Sequence, residues 1–156
     1  MKFSTSKTEL QNVLQKLSKA VPTRSTLPIL GCVLFKASEE KTILRATDLE
    51  ITIIAEIPVS IEEPGSAAIP LKTLLDITNE LPETRITLIV DSDNKIELRT
   101  ETGVYDLMGK PANEFPSIPD TSDGKELSMN SQLFKSVIES TVFAVSRDDL
   151  KPALTG

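Results

Sequence analysis

Histidine is absent from the 156 residues, so the side chain most used as a general base or neutral metal ligand is missing. A Ser-His or Cys-His nucleophile is therefore excluded. Asp91-Ser92-Asp93-Asn94 opens like a calcium loop, yet Ile96 stands where that loop needs glycine and Thr102 where it needs a bidentate glutamate. A hairpin turn accounts for these residues better. Asp48 and Glu50 flank the start of a strand-like run, where a turn and a solvated edge suffice without any catalytic pairing. Six glycines are too scattered to form a phosphate-cradling loop. The single cysteine, Cys32, lies in the apolar run from Leu27 to Ala37, so no internal disulfide is possible and a buried, inert thiol is expected. No metal or cofactor is implied, and an enzyme working with carboxylates alone ranks last among the readings.

What remains is charge. The chain carries a net -6, which by itself argues against a nucleic-acid partner. Its distribution is uneven. Residues 1 to 36 hold Lys2, Lys7, Lys16, Lys19, Arg24 and Lys36 against Glu9 alone, a net of +5, and the other eleven basic and twenty-two acidic residues leave -11 elsewhere. An acidic body with one basic segment suits a protein that repels nucleic acid over most of its surface and tolerates it on one face. A chance cluster on a solvated helix explains the charge alone equally well.

The elements that would position these residues follow from pattern. Ser6-Lys7-Thr8-Glu9 is a capping box, with the Ser6 hydroxyl accepting from the Glu9 amide and the Glu9 carboxylate reaching back to the Ser6 amide. Leu10, Val13, Leu14, Leu17 and Val21 then follow one helix face until Pro22. Thr8, Asn12, Gln15, Lys16 and Lys19 point the other way. Strands are expected over Leu27 to Ala37, Thr42 to Thr47 and Leu49 to Ile57. Pro64-Gly65 makes a turn, Ala67 to Ile69 a brief strand, and Pro70 opens a helix running to Leu81. Three more strands follow, Arg85 to Asp91, Lys95 to Thr100 and Val104 to Met108. Residues 1 to 108 thus read as strand, helix and three strands, written twice. Pairing two such units covers both sheets and gives an α+β domain.

From Gly109 to Glu126 the composition turns to Pro, Gly, Asp and Ser, the character of a linker. Beyond it the chain restarts. Adding 124 to each number lays Ser4 on Ser128, Val13 on Val137, Leu14 on Ile138, Ala20-Val21 on Ala144-Val145, and Pro28 and Leu30 on Pro152 and Leu154. This is an internal repeat of whole domains. Residues 1–120 are expected to form the first domain and the start of the linker. Residues 121–156 should hold the end of the linker and a truncated second copy. An acidic α+β protein-interaction module with no nucleic-acid role is the alternative, but such a module has no reason to restart. The chain shows no apolar leader and no membrane-length run, so a cytoplasmic location is expected.

Four motifs go further. Met1-Lys2-Phe3, Thr26-Leu27-Pro28-Ile29-Leu30-Gly31, Ala46-Thr47-Asp48-Leu49-Glu50-Ile51, and Tyr105-Asp106-Leu107 with Glu114-Phe115-Pro116 occur in an order and spacing that resembles the bacterial sliding-clamp family, the beta subunit of DNA polymerase III. The resemblance covers the whole chain. It implies a DNA-clamp fold, with two strand-helix-three-strand units per domain and the helices on one side of antiparallel sheets. It also implies a non-enzymatic processivity factor, a homodimeric ring at full length, with three domains per subunit. Such a ring encircles duplex DNA without sequence preference, tethers the replicative polymerase and is placed by a clamp loader, with no membrane role. By the same resemblance Arg24 is a DNA-facing loop residue. Lys16, Lys19 and Lys72 on the two helices, and Arg147 and Lys151 in the equivalent loop of the second copy, are further DNA-facing candidates, although Asp148 is the repeat partner of Arg24. Tyr105 and Leu107 fall at the dimer interface, and Leu154 in the pocket for partner peptides.

Overall fold

A computed structural model describes residues 1–23, 25–117, 128–146, 148, 150 and 152–155. The chain divides into two units, Met1–Ile118 and Pro119–Gly156.

In the first unit, strand β1 (Lys2–Ser6) leads straight into helix α1 (Lys7–Leu17), which tightens into a 3-10 turn over Ser18–Ala20. Helix α1 starts where the Ser6 hydroxyl accepts from the Glu9 amide at 3.2 Å. Only this half of the capping box is formed among the described residues, and Ser6 doubles as the last residue of β1. Leu10, Val13, Leu14 and Leu17 are buried on the helix's inner face, as their spacing requires. A second 3-10 turn, Pro28–Gly31, precedes β2 (Cys32–Ala37), β3 (Thr42–Thr47), β4 (Thr52–Ile57) and β5 (Ser60–Glu63). Then come β6 (Gly65–Pro70), helix α2 (Leu71–Glu80), β7 (Arg85–Val90), β8 (Lys95–Arg99) and β9 (Val104–Met108).

The strands form two antiparallel sheets, ordered β5-β1-β7-β8-β9 and β4-β3-β2-β6. Each half of the unit therefore lends its first strand to the other half's sheet: β1 pairs with β7, and β6 with β2. Exchanging strands this way lets helices and sheets share one core. Leu10 and Leu14 of α1, Leu71 and Leu74 of α2, Phe35 and Leu44 of one sheet, and Phe3 and Leu88 of the other belong to it. Phe3 and Phe35 stack across the two sheets with ring centroids 6.1 Å apart. The helices are tied at their polar margin by Gln11 Nε2 donating to Asn79 Oδ1 at 2.7 Å.

Four expectations need correction. Leu27 to Ala37 is not one strand: Pro28 has no amide to offer a ladder and favours a helical first turn, so residues 28–31 coil before β2 begins. The strand expected from Leu49 starts at Thr52, because Leu49 takes φ +83°. Asp48 Oδ1 accepts the amides of Glu50 and Ile51 at 3.0 and 2.7 Å, holding a tight turn. Strand β5 was not anticipated; it is short and mostly polar, with Lys2 paired to Glu62 at 2.6 Å along this edge. The segment from Gly109 is not free linker at its start. Lys110 exchanges backbone hydrogen bonds with Ala68 at 2.8 and 3.0 Å, and Phe115 is buried. A Cβ at residue 109 would sit 2.8 Å from Ile96 Cδ1 and 3.1 Å from two carbonyl oxygens, so only glycine lets the backbone approach there. Residues 118–127 lie outside the described residues.

In the second unit, helix α3 (Ser131–Thr141) is capped by Asn130, whose side chain accepts from the Gln132 and Leu133 amides. It is followed by 3-10 turns at Val142–Ala144 and Pro152–Leu154. Subtracting 124 lands these on α1, on its 3-10 extension and on the turn that begins at Pro28. The repeat is structural, to the residue at every helix start.

Candidate nucleic-acid interface

Helix α1 buries its aliphatic stripe, so geometry sends Asn12, Gln15, Lys16 and Lys19 to solvent, where these four line one shallow surface. Among the described residues, ion pairs join Lys2 to Glu62, Lys41 to Glu56, Arg99 to Glu97 and Lys135 to Glu139. Lys16, Lys19 and Lys72 take part in none of them. No carboxylate among the described residues pairs with their ammonium groups, and long flexible side chains of this kind contact phosphate as point charges without reading sequence.

Lys72 is exposed in the first turn of α2. It shares a cleft with Val21, Pro22, Thr23, Asp76 and Asn79, so the loop running on from α1 opens beside Lys72. Asp76 makes this cleft mixed in charge. Arg24, Arg147 and Lys151 lie outside the described residues. The geometry thus brings Lys16 and Lys19 together and sets Lys72 beside Thr23.

The sites that looked chemical are structural. Asp48 has its carboxyl held below the ordinary range, first by the Ile51 amide, so it serves as a turn cap. Asp91 Oδ1 accepts the amides of Asp93 and Lys95 at 2.8 and 2.9 Å. Burial pushes the Cys32 thiol up, with Lys110 partly opposing it, which leaves little thiolate for chemistry.

Strand β9 is an outer strand, hydrogen-bonded to β8 on one side only. Tyr105 and Leu107 are half-buried and pack on the main core. Val104 and Met108, on the opposite face, are 58% and 60% exposed. Sequence reasoning passed over these two, although the two-residue period of a strand puts them opposite Tyr105 and Leu107. Strand β4 is the matching outer strand of the other sheet, with Ile54 53% exposed. Counting order within each half, β4 and β9 are equivalent strands, the last of their strand-helix-three-strand runs. In the second unit, Leu154 is 57% exposed and its carbonyl accepts the Ser146 amide at 2.7 Å.

Residues 1–119 match the family model for the N-terminal domain of the DNA polymerase III beta subunit. The beta sliding clamp of Vibrio cholerae is 31% identical over 157 residues, covering all of this chain and 43% of that protein. A beta sliding clamp sequence from Vibrio harveyi is 33% identical over 145 residues, 92% of this chain and all of that sequence. The crystal structure of the DNA polymerase sliding clamp from Bacillus subtilis superposes with a TM-score of 0.90 at 30% identity, covering 97% of this chain and 42% of that one. The chain therefore spans less than half the length of most of these relatives. With two antiparallel sheets exchanging first strands and the matched region spanning the whole first unit, the chain belongs to the DNA polymerase III beta subunit family.

Proposed function

We propose that the chain is part of a replication processivity factor, a sliding clamp that encircles duplex DNA and tethers the replicative polymerase by topology rather than catalysis. The observation that carries this reading is the pair of equivalent outer strands, β4 and β9, on one unit. A unit with matching open edges can add to neighbours head to tail, and a head-to-tail series closes into a ring when the rotation allows. The repeat at 124 provides the next member of the series within the same chain. Strand β9, fixed from beneath by Tyr105 and Leu107, would then be the homodimer contact at full length. The Leu154 region would receive short peptides from the polymerase and the clamp loader, in the cytoplasm. Among the described residues no helix is long and apolar enough to cross a membrane.

Arg24, Lys16, Lys19, Lys72, Arg147 and Lys151 would face the enclosed DNA. Few such cations are needed. Each neutralised phosphate adds attraction that resists movement, whereas an enclosing ring needs only enough to centre the duplex. The test uses a ring-length clamp carrying this segment, with Lys16→Glu and Lys19→Glu combined, assayed for retention on nicked circular DNA across a salt series. Losing two phosphate contacts should flatten the log-log salt slope by about 2, and processive synthesis should fall. Arg24→Ala should show the same trend more weakly. Unchanged retention and processivity when Lys16→Glu, Lys19→Glu and Arg24→Ala are combined would assign DNA to another face.

A further inference from the structure

The outer face of the four-stranded sheet, on the side away from the main core and both helices, is covered over one half only. Strand alternation turns Val33, Phe35, Leu44 and Ala46 inward and leaves Leu34, Lys36, Ile43, Arg45, Ile54 and Glu56 outward. Towards β6 the face is closed, with Leu34 packed against Phe115 and the 3-10 turn. Towards β4 it is open, with Ile54 53% exposed. The strand register sets the outward side chains in two rows, Lys36–Ile43–Glu56 and Leu34–Arg45–Ile54. Lys36 and Arg45 thus stand on one diagonal, and the aliphatic Leu34 and Ile43 on the other. Arg45 lies half-buried between its neighbours, and its Nε is buried without a hydrogen-bond partner among the described residues. Glu56, the carboxylate on these rows, pairs with Lys41 at 2.9 Å, and neither Arg45 nor Lys36 joins any of the four ion pairs among the described residues. A buried donor with no acceptor is a cost that nothing in the unit offsets.

We propose that the open half of this face is a docking site for an extended acidic segment of a partner protein, with one carboxylate on Arg45, a second on Lys36, and aliphatic side chains against Ile43 and Ile54. The occupant follows from charge and spacing. Arginine Nε and Nη form a planar fork that matches a carboxylate, and Ile54, being more than half exposed, is free to turn aside and admit one. Diagonal neighbours in a sheet are about 7–8 Å apart, and residues i and i+2 of an extended segment about 7 Å, so two acidic residues at that spacing meet both cations. Nucleic acid fits less well, since Ile43 and Ile54 offer a phosphate backbone nothing and Glu56 repels a polyanion. The inference does not depend on the clamp reading, because it uses one sheet of the first unit and the side opposite Lys16 and Lys19.

The probe is a fluorescein-labelled peptide, Ile-Thr-Glu-Thr-Glu-Thr-Ile, titrated into the full chain and followed by anisotropy and by the arginine Nε–H resonances in a nitrogen-15 spectrum. The Arg45 resonance, identified by its loss in Arg45→Met, should shift with peptide. The methionine keeps an unbranched apolar stem on the sheet, and Arg45→Met should weaken binding at least about tenfold, as loss of a charge-assisted pair requires. Lys36→Met should weaken it less, about threefold, because an exposed ammonium contributes less. The same peptide with glutamine in place of both glutamates should bind at least about tenfold more weakly to the unaltered chain. An unmoved Arg45 resonance, or equal binding of the glutamine peptide, overturns the proposal, and both are read without any variant should Arg45→Met fail to fold. Equal binding by a folded Arg45→Met overturns it too. A thymidine oligonucleotide that shifts the same resonance at lower concentration than the peptide would assign the face to phosphate and refute the acidic segment.

Discussion

Leu14 and Ile138 occupy the same place in the two copies of the repeat, yet Leu14 is fully buried and Ile138 is 46% exposed. Truncating each to alanine should therefore have different consequences in this chain. Leu14→Ala removes three carbons from a filled core and leaves a cavity, at a cost of about 2–5 kcal/mol. A small domain has about 5–15 kcal/mol in all, and with a urea slope of about 1–3 kcal/mol/M the midpoint should drop by about 2 M. Ile138→Ala forfeits only part of the burial of one side chain, about 1 kcal/mol, and recovers a few tenths from the better helix propensity of alanine. Its net effect should be small. The assay is convenient because the chain has one tyrosine and no tryptophan, so Tyr105 fluorescence follows the first unit alone while far-ultraviolet dichroism follows both. Equal shifts for the two variants would refute the reasoning. In a longer chain carrying the strands that follow in the second copy, Ile138→Ala should become as costly as Leu14→Ala.

Asp48 is the turn cap between β3 and β4, and Asp48→Ala should cost about 0.5–1 kcal/mol at neutral pH, the low end for a capping carboxylate that water can reach. Its folded pKa is depressed, so that contribution is full above the ordinary aspartate range, near 3.9, and disappears as pH falls below it. Urea midpoints of the two proteins should converge in acid, and a gap that widens there would contradict the cap. Leu49→Gly should leave stability unchanged or slightly raised, because relief of about 1–2 kcal/mol at φ +83° meets about 0.5–1 kcal/mol of added chain entropy. Leu49→Val in the same melts should be lower, and the reverse order would exclude backbone strain there. Amides of residues 131–144 should exchange faster than those of β1 and β7, since Phe134, Val137 and Ile138 stand exposed; uniform protection would contradict this.

The helices were legible because their signals are local. Ser6 with Glu9, the 3.6-residue stripe of α1, and Pro22 all act within a few residues of one another. Most strands of the first unit were legible for the same reason. Pro28 misleads because an apolar run containing proline suits a strand edge and a helical first turn alike, and only the packing of Ile29 and Leu30 with Phe115 decides between them. Strand β5 was hidden by Ser60, Glu62 and Glu63, whose polarity suits an exposed edge as well as a loop. The exchange of β1 and β6 could not be read at all, since the register of Lys2 with Ile89 joins residues far apart along the chain. Amphipathicity is enough to put Lys16 and Lys19 on the exposed side of α1 and its 3-10 extension. The outer strand β4, and the outward face of β9 at Val104 and Met108, became visible only with the sheet order.

Two duplications are nested in this chain, and they are not decorated alike. Within the first unit an offset of 64 lays α1 on α2, matching Leu10 to Leu74, Leu14 to Thr78 and Leu17 to Leu81, all buried. The inner faces are thus equivalent, as a shared core demands. The outer faces are opposed: the same offset sets Lys16 against Glu80 and Lys19 against Glu83. The connection from helix to next strand differs too. It runs from the turn ending at Ala20 to Cys32 in the first half, but only from Glu80 to Arg85 in the second, so the loop bearing Arg24 has no counterpart. Packing constrained the two halves to stay alike, while solvent left one face free to become basic and the other acidic. On the proposed reading, attraction for DNA within the unit is then concentrated on α1 and the loop after it, with Lys72 the one cation α2 adds and carboxylates beside it. Such a face can position a duplex without holding it, the condition under which an enclosing ring slides.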